Sequence, residues 1–184
     1  MTKRFLLLLL PLWFFAIQAK AEYFSITRYD INVTFAADGS ADFVETIEVR
    51  FTEPRHGIFR FIPYRDNING HQLDRLIKDI SVDGFKFTTS KVENDNIEIR
   101  IGDADTYVEG TQLYRISYHV VNPLNFFDDD HSEFYWDLLG ISWPVEIENV
   151  NYQLNFPDQV SLTNDQVRGY TGSSSRDLFK GMEH

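Results

Sequence analysis

From Tyr29 onward, apolar side chains recur at every second position. In YDINVTF, Tyr29, Ile31, Val33 and Phe35 fall on one face, and Asp30, Asn32 and Thr34 on the other. That period belongs to a half-buried strand. ADGS at 37–40 supplies a turn, and ADFVETIEVRF then alternates again as far as Glu53-Pro54, so a hairpin is expected. The same grammar continues in ISV at 80–82, FKFTTSKV at 85–92, IEIRI at 97–101 and LYRISYHVV at 113–121. EFYWDLL at 133–139 and VEIENVNYQLNF at 145–156 complete the series, which closes at Pro157. Asp83-Gly84, ENDN, Gly110-Thr111 and Asn122-Pro123 punctuate it. Short strands with regular turn signals predict an all-β fold, an antiparallel β-sandwich of about seven to nine strands. HQLDRLIKDI, with Leu73, Leu76, Ile77 and Ile80, is the one stretch that suggests a turn or two of helix.

Two charges interrupt this alternation. On the strand from Ala41, Glu45 shares a face with Phe43, Ile47, Val49 and Phe51. In HGIFRFIP, Arg60 shares a face with Ile58 and Ile62 if the segment is extended. A buried carboxylate or guanidinium is very costly alone and tolerable when paired and hydrogen-bonded. An internal Glu45–Arg60 structural pair is therefore the economical expectation. A surface loop carrying a solvated arginine remains the alternative, and a catalytic Arg60 has no supporting partner in the sequence.

The ends of the chain read differently. Lys3 and Arg4 precede an apolar run from Phe5 to Ile17, and Ala19-Lys20-Ala21 fits a small-x-small cleavage site. The run is too short for a spanning helix, which needs roughly 20 residues. Residues 1–21 are thus expected to be a secretory signal, cleaved after Ala21. Residues 22–163 would form the sandwich domain and 164–184 a flexible tail, because GYTGSSSRDLFKGMEH is small, polar and glycine-punctuated. That tail suggests a shortened form of a longer protein.

Loss of the signal would remove three cations, Lys3, Arg4 and Lys20, and no acid, taking the net charge from −11 to −14. Such an acidic chain is a poor nucleic-acid binder, since phosphate contacts need clustered Lys and Arg. With no cysteine, there are no disulfides, thiol nucleophiles or thiolate metal sites. The chain also lacks GxSxG, HExxH, a phosphate-binding glycine loop and GxGxxG. His56, His71, His119, His131 and His184 are scattered without metal-ligand spacing. Asp103, Asp105 and Glu109 in GDADTYVEG do not match an EF-hand and read as a solvated turn. NVT at 32–34 matches a glycosylation acceptor but lies within a strand pattern.

One segment is denser in chemistry. In NFFDDDHSEFYWD, Asp128, Asp129, Asp130, His131 and Glu133 sit between aromatic pairs, with Trp136 just beyond. Clustered carboxylate oxygens suit calcium, and carboxylates beside aromatic rings suit sugars. These six residues form the candidate binding surface, set against a plain exposed loop whose flanking rings belong to the core. No catalytic residue and no required cofactor is assigned; calcium is the one cofactor this loop would suit.

The order YDINVTFAADGSADFVETIEVRF, HGIFRFIP, IRIGD, YRISYHV, FYWDLLGISWPVEIENV and FP, running from about residue 24 to 172, resembles a bacterial family called domain of unknown function 2207. The resemblance implies an extracytoplasmic β-rich domain at the head of a membrane protein that typically continues into transmembrane helices. It implies no activity, and the sequence departs from the pattern by stopping at His184 without a hydrophobic span. The expectation is a non-enzymatic, exported binding or sensor-like module of the cell envelope, periplasmic or otherwise extracytoplasmic. Its partner would be an envelope protein or a glycan. The alternative is a carbohydrate-active or calcium-dependent envelope enzyme using the 126–137 loop.

Overall fold

The computed structural model describes residues 23–68, 71–126, 132–140, 143–163 and 166–167. The expected signal and nearly all of the expected tail lie outside these residues. Twelve strands occur among the described residues: β1 (Phe24–Phe35), β2 (Ala41–Arg55), β3 (Gly57–Pro63), β4 (Arg65–Ile68), β5 (His71–Asp74), β6 (Ile77–Val82), β7 (Phe87–Val92), β8 (Asn96–Gly102), β9 (Val108–Val120), β10 (Leu124–Phe126), β11 (Ser132–Phe134) and β12 (Val150–Asn155). Eight of them build two layers, ordered β12-β1-β2-β9-β6 and β3-β8-β7. β4-β5 and β10-β11 are separate two-stranded ribbons. The fold is an all-β sandwich of mainly antiparallel sheets.

The alternation read in the sequence sets the core. β2 buries Ala41, Phe43, Ile47, Val49 and Phe51, while β9 buries Tyr114, Ile116, Tyr118 and Val120. β1 contributes Ile26 and then Tyr29, Ile31, Val33 and Phe35; a bulge between Ile26 and Arg28 resets its phase. Ile58 and Ile62 of β3, with Ile97, Ile99 and Ile101 of β8, complete one continuous cluster from the opposite layer. Fully burying each such side chain is worth about 1.5–3 kcal/mol, which makes this interface the main support of a disulfide-free domain.

Three local expectations are corrected. The helix suggested by HQLDRLIKDI does not form; the segment runs as β5 and β6. Ile77, Ile80 and Val82 are β-branched, and pairing β6 with β9 satisfies backbone groups that a one- or two-turn helix would leave open. In EFYWDLL only the beginning is strand, because β11 ends at Phe134. In VEIENVNYQLNF the strand begins only at Val150, preceded by an isolated bridge between Ile26 and Ile147. β12 also pairs parallel with β1, which departs from a purely antiparallel design.

Candidate functional site

β2 and β3 lie in opposite layers, and the alternation of each points one charged side chain into the space between them. Glu45 is 0% exposed and Arg60 1%. Arg60 Nε donates to Glu45 Oε2 at 2.7 Å, and Arg60 Nη2 donates to Glu45 Oε1 at 2.8 Å. This is the bidentate fork that a planar guanidinium forms with a carboxylate.

The remaining capacity of both groups is taken up. The Tyr29 hydroxyl donates to Glu45 Oε2 at 2.6 Å, and the Tyr118 hydroxyl donates to Glu45 Oε1 at 2.8 Å. Arg60 Nη1 donates to the Phe61 carbonyl at 2.6 Å and to that of Leu139 at 3.2 Å, and Nη2 to that of Leu138 at 3.2 Å. All five guanidinium N–H groups are thereby used. The loop after β11 is thus fastened to the core through its own carbonyls, which explains why EFYWDLL does not continue as a strand. Trp143 adds a second fastening, donating Nε1–H to Leu139 at 2.9 Å and packing edge-on to Tyr29.

Burial is the largest influence on these groups. It pushes the Tyr29 and Tyr118 hydroxyls well above the usual tyrosine range, with the Glu45 charge acting the same way and Arg60 opposing. For Arg60, burial works against the charge, but Glu45 more than offsets it and the net shift is upward. Tyr114 is pushed up to about 12 by burial alone.

The sign of the resulting pH dependence follows directly. The unfolded chain releases the Tyr29 and Tyr118 protons near pH 10.0 while the folded protein still holds both. The folded state then binds more protons, so stability is complete below that pH and falls as pH rises through the folded values. Melting temperature should therefore drop steeply above about pH 10, together with cooperative appearance of tyrosinate absorbance. Tyrosinate absorbance complete at pH 10 in a still-folded protein would contradict this.

The candidate loop is placed only in part. Asp128, Asp129, Asp130 and His131 lie outside the described residues. Glu133 is exposed on β11, opposite Asn125 of β10. Trp136 is half-buried, with its ring 4.8 Å from Phe43 and 6.0 Å from Phe134, and the Arg75 guanidinium lies 4.7 Å from its face. The structure therefore gives Trp136 a packing partnership with the core, and Glu133 a solvent-facing one. Arg75, buried between β5 and β6, also donates to the Tyr135 carbonyl at 3.0 Å; this contact was not anticipated from sequence. Its signal lay hidden in the misread helical stretch.

Asp103 and His119 are engaged locally. Asp103 accepts from the Asp105 backbone N–H at 3.0 Å and pairs with Lys86, whose hydrogen bond lowers the Asp103 carboxyl below the usual range. His119 Nδ1 lies 2.7 Å from Asp42 Oδ1. Among the described residues, no three acidic or imidazole groups converge in a geometry that could hold a metal. An open groove of about 540 Å³ runs along β7 and β8, lined by Phe85, Phe87 and Arg100 with the Lys86–Asp103 pair.

Residues 25–179 match the sequence model described as predicted membrane protein (DUF2207) N-terminal domain. Among solved structures, native leukotriene A4 hydrolase from Saccharomyces cerevisiae is similar at 12% identity and TM-score 0.37, over 52% of this chain and 15% of that one. A two-domain M1 zinc metallopeptidase mutant bound to L-arginine is similar at 11% identity and TM-score 0.42, over 84% and 37% respectively. A non-cellulosomal cohesin from Archaeoglobus fulgidus is similar at 13% identity and TM-score 0.34, over 75% and 94%. The chain thus spans a small part of the hydrolase. At these scores the likenesses carry no argument about chemistry.

Proposed function

The chain belongs to the family of predicted membrane proteins called domain of unknown function 2207, matching its N-terminal domain, and from this premise we propose that it is a non-enzymatic, extracytoplasmic binding module of the cell envelope. One observation carries the reading. The most chemically loaded centre of the described fold, Glu45 with Arg60, Tyr29 and Tyr118, is sealed from solvent and saturated with its own hydrogen bonds. A group that is to transfer a proton or attack a substrate must be able to reach that substrate. These residues instead spend their chemistry on locking two layers and a loop together, the behaviour of a scaffold that presents a surface.

Export is part of the proposal, resting on the basic n-region, short apolar core and Ala19-Lys20-Ala21 of the sequence. No helix of the described residues is long and apolar enough to cross a membrane.

The test uses the exported chain as bait against envelope extracts, with in vivo photo-crosslinking as the parallel measurement. Capture of the same small set of envelope proteins by both methods supports the module. Hydrolysis of a glycan polymer by the purified chain, abolished by Glu133→Gln, would replace it with the enzyme reading. N-terminal sequencing of the bait recovered from the envelope should begin at Glu22, and an intact Met1 would contradict cleavage.

A further inference from the structure

The two layers have four edges, and three are guarded. β6 carries Lys78, a bulge between Lys78 and Ser81, and Asp79 at φ 54°. β7 carries Lys91. β3 ends at Pro63 and is covered at Phe61, whose carbonyl accepts from Arg60 and lies against Gly140. Lysine, proline, bulges and covering loops are the usual devices that stop an edge from pairing with another chain. Among the described residues β12, VNYQLN, has none of them: it is regular, uncharged, and pairs with β1 alone.

Its geometry suits strand addition. The Tyr29 N–H donates to the Asn149 carbonyl at 2.9 Å, and the alternation of a strand then turns Asn151, Gln153 and Asn155 toward β1. The backbone N–H and C=O groups of Val150, Tyr152 and Leu154 consequently face outward. The side chains of these three residues are in register with Tyr29, Ile31 and Val33, so they lie on the core-facing side of the sheet. The opposing layer is three strands wide against five, and here the apolar face runs beyond its cover: Val150 is 38% exposed and Tyr152 42%. Free backbone groups thus run beside an apolar shelf, the combination by which an added strand gains both hydrogen bonds and side-chain pockets.

The occupant follows from charge. Exposed Glu146 precedes β12 and exposed Asp158 follows it, with Glu148 also exposed but paired to Arg50 at 3.4 Å, on a chain of net charge −11. A second copy meeting β12 antiparallel would bring these carboxylates against one another, which is unfavourable. We propose that the free edge of β12 binds an extended peptide segment of another envelope protein, with apolar residues at alternate positions and Lys or Arg at both ends. The proposal rests on the binding-module reading and specifies where that module binds.

The test measures fluorescence anisotropy of labelled peptides on the exported chain. The probes are Lys-Lys-Val-Thr-Val-Thr-Val-Lys-Lys, the same peptide with Glu for every Lys, and a copy of the first N-methylated at the residues that would bond β12. The basic peptide should bind saturably and slow amide exchange at Val150, Tyr152 and Leu154. The acidic and N-methylated peptides should each be at least about tenfold weaker. Tyr152→Lys should weaken the basic peptide to the same extent while the variant still unfolds cooperatively, because the Tyr152 side chain is 42% exposed and lies outside the buried core. Equal binding of all three peptides, undiminished binding by Tyr152→Lys, or a dimer in solution that already protects these amides would each overturn the proposal. Envelope capture separates it from the broader reading. Capture retained by Tyr152→Lys leaves the module standing with a different surface, whereas failure of the wild-type bait counts against the module while the peptides judge the edge.

Discussion

Arg60→Met is expected to destabilise the domain by about 3–5 kcal/mol, the cost of leaving one partner of a buried ion pair uncompensated. The loss has two parts. Glu45 keeps its Tyr29 and Tyr118 donors but loses the guanidinium that balances its charge. The carbonyls of Leu138 and Leu139 lose the donors that fasten their loop. Adding Glu45→Gln should recover a substantial share of the first part, because a neutral amide keeps both tyrosine contacts at far smaller desolvation cost, its oxygen accepting from one hydroxyl and its NH2 donating to the other. It should recover none of the second. Urea unfolding of wild type, both single variants and the double variant would read the coupling as a cycle. Strict additivity would mean that the two charges are energetically independent. A loss near 0–1 kcal/mol would place the pair in the class of exposed salt bridges.

Gly57→Ala should cost at least about 4 kcal/mol, at the extreme of what single substitutions do. Gly57 and Gly102 face each other in the β3–β8 register at φ 131° and 135°. A β-carbon on Gly57 would lie 1.8 Å from the Ile101 carbonyl oxygen, and one on Gly102 would lie 1.8 Å from that of His56. Both obstacles are backbone, Ile101 within the β3–β8 ladder and His56 directly before it, so neither can swing aside as a flexible side chain would. Gly84→Ala is the control. Gly84 also has a positive φ, 74°, but nothing lies within 4 Å of its missing β-carbon, so it should lose only the conformational part, about 1–3 kcal/mol. Equal destabilisation of the two variants in urea would show that backbone conformation, not steric contact, sets the requirement at Gly57.

The sequence by itself determined the parts of this protein that depend on period. Alternation along β1, β2, β8 and β9 is a property of single strands, so the buried face of each could be read before any partner was known. For the same reason Glu45 and Arg60 stood out as charges on apolar faces, and the high cost of burying either alone pointed to a pair. The ordered motifs from Tyr29 to Pro157 carried the family resemblance that the match over residues 25–179 places on firm ground. What only the tertiary structure decided is non-local. Arg75 sits in a stretch whose spacing fits a helix as well as a strand, and it was the free ladder groups of β9 that selected strand. The route of residues 135–140 follows from which carbonyls Arg60 could reach from the opposite layer, a contact 78 and 79 residues distant in the chain. Among the described residues β12 is left as a parallel edge at the end of its sheet, opposite a layer only three strands wide, and the side-chain pattern of six residues carries no information about the width of the sheet that faces them.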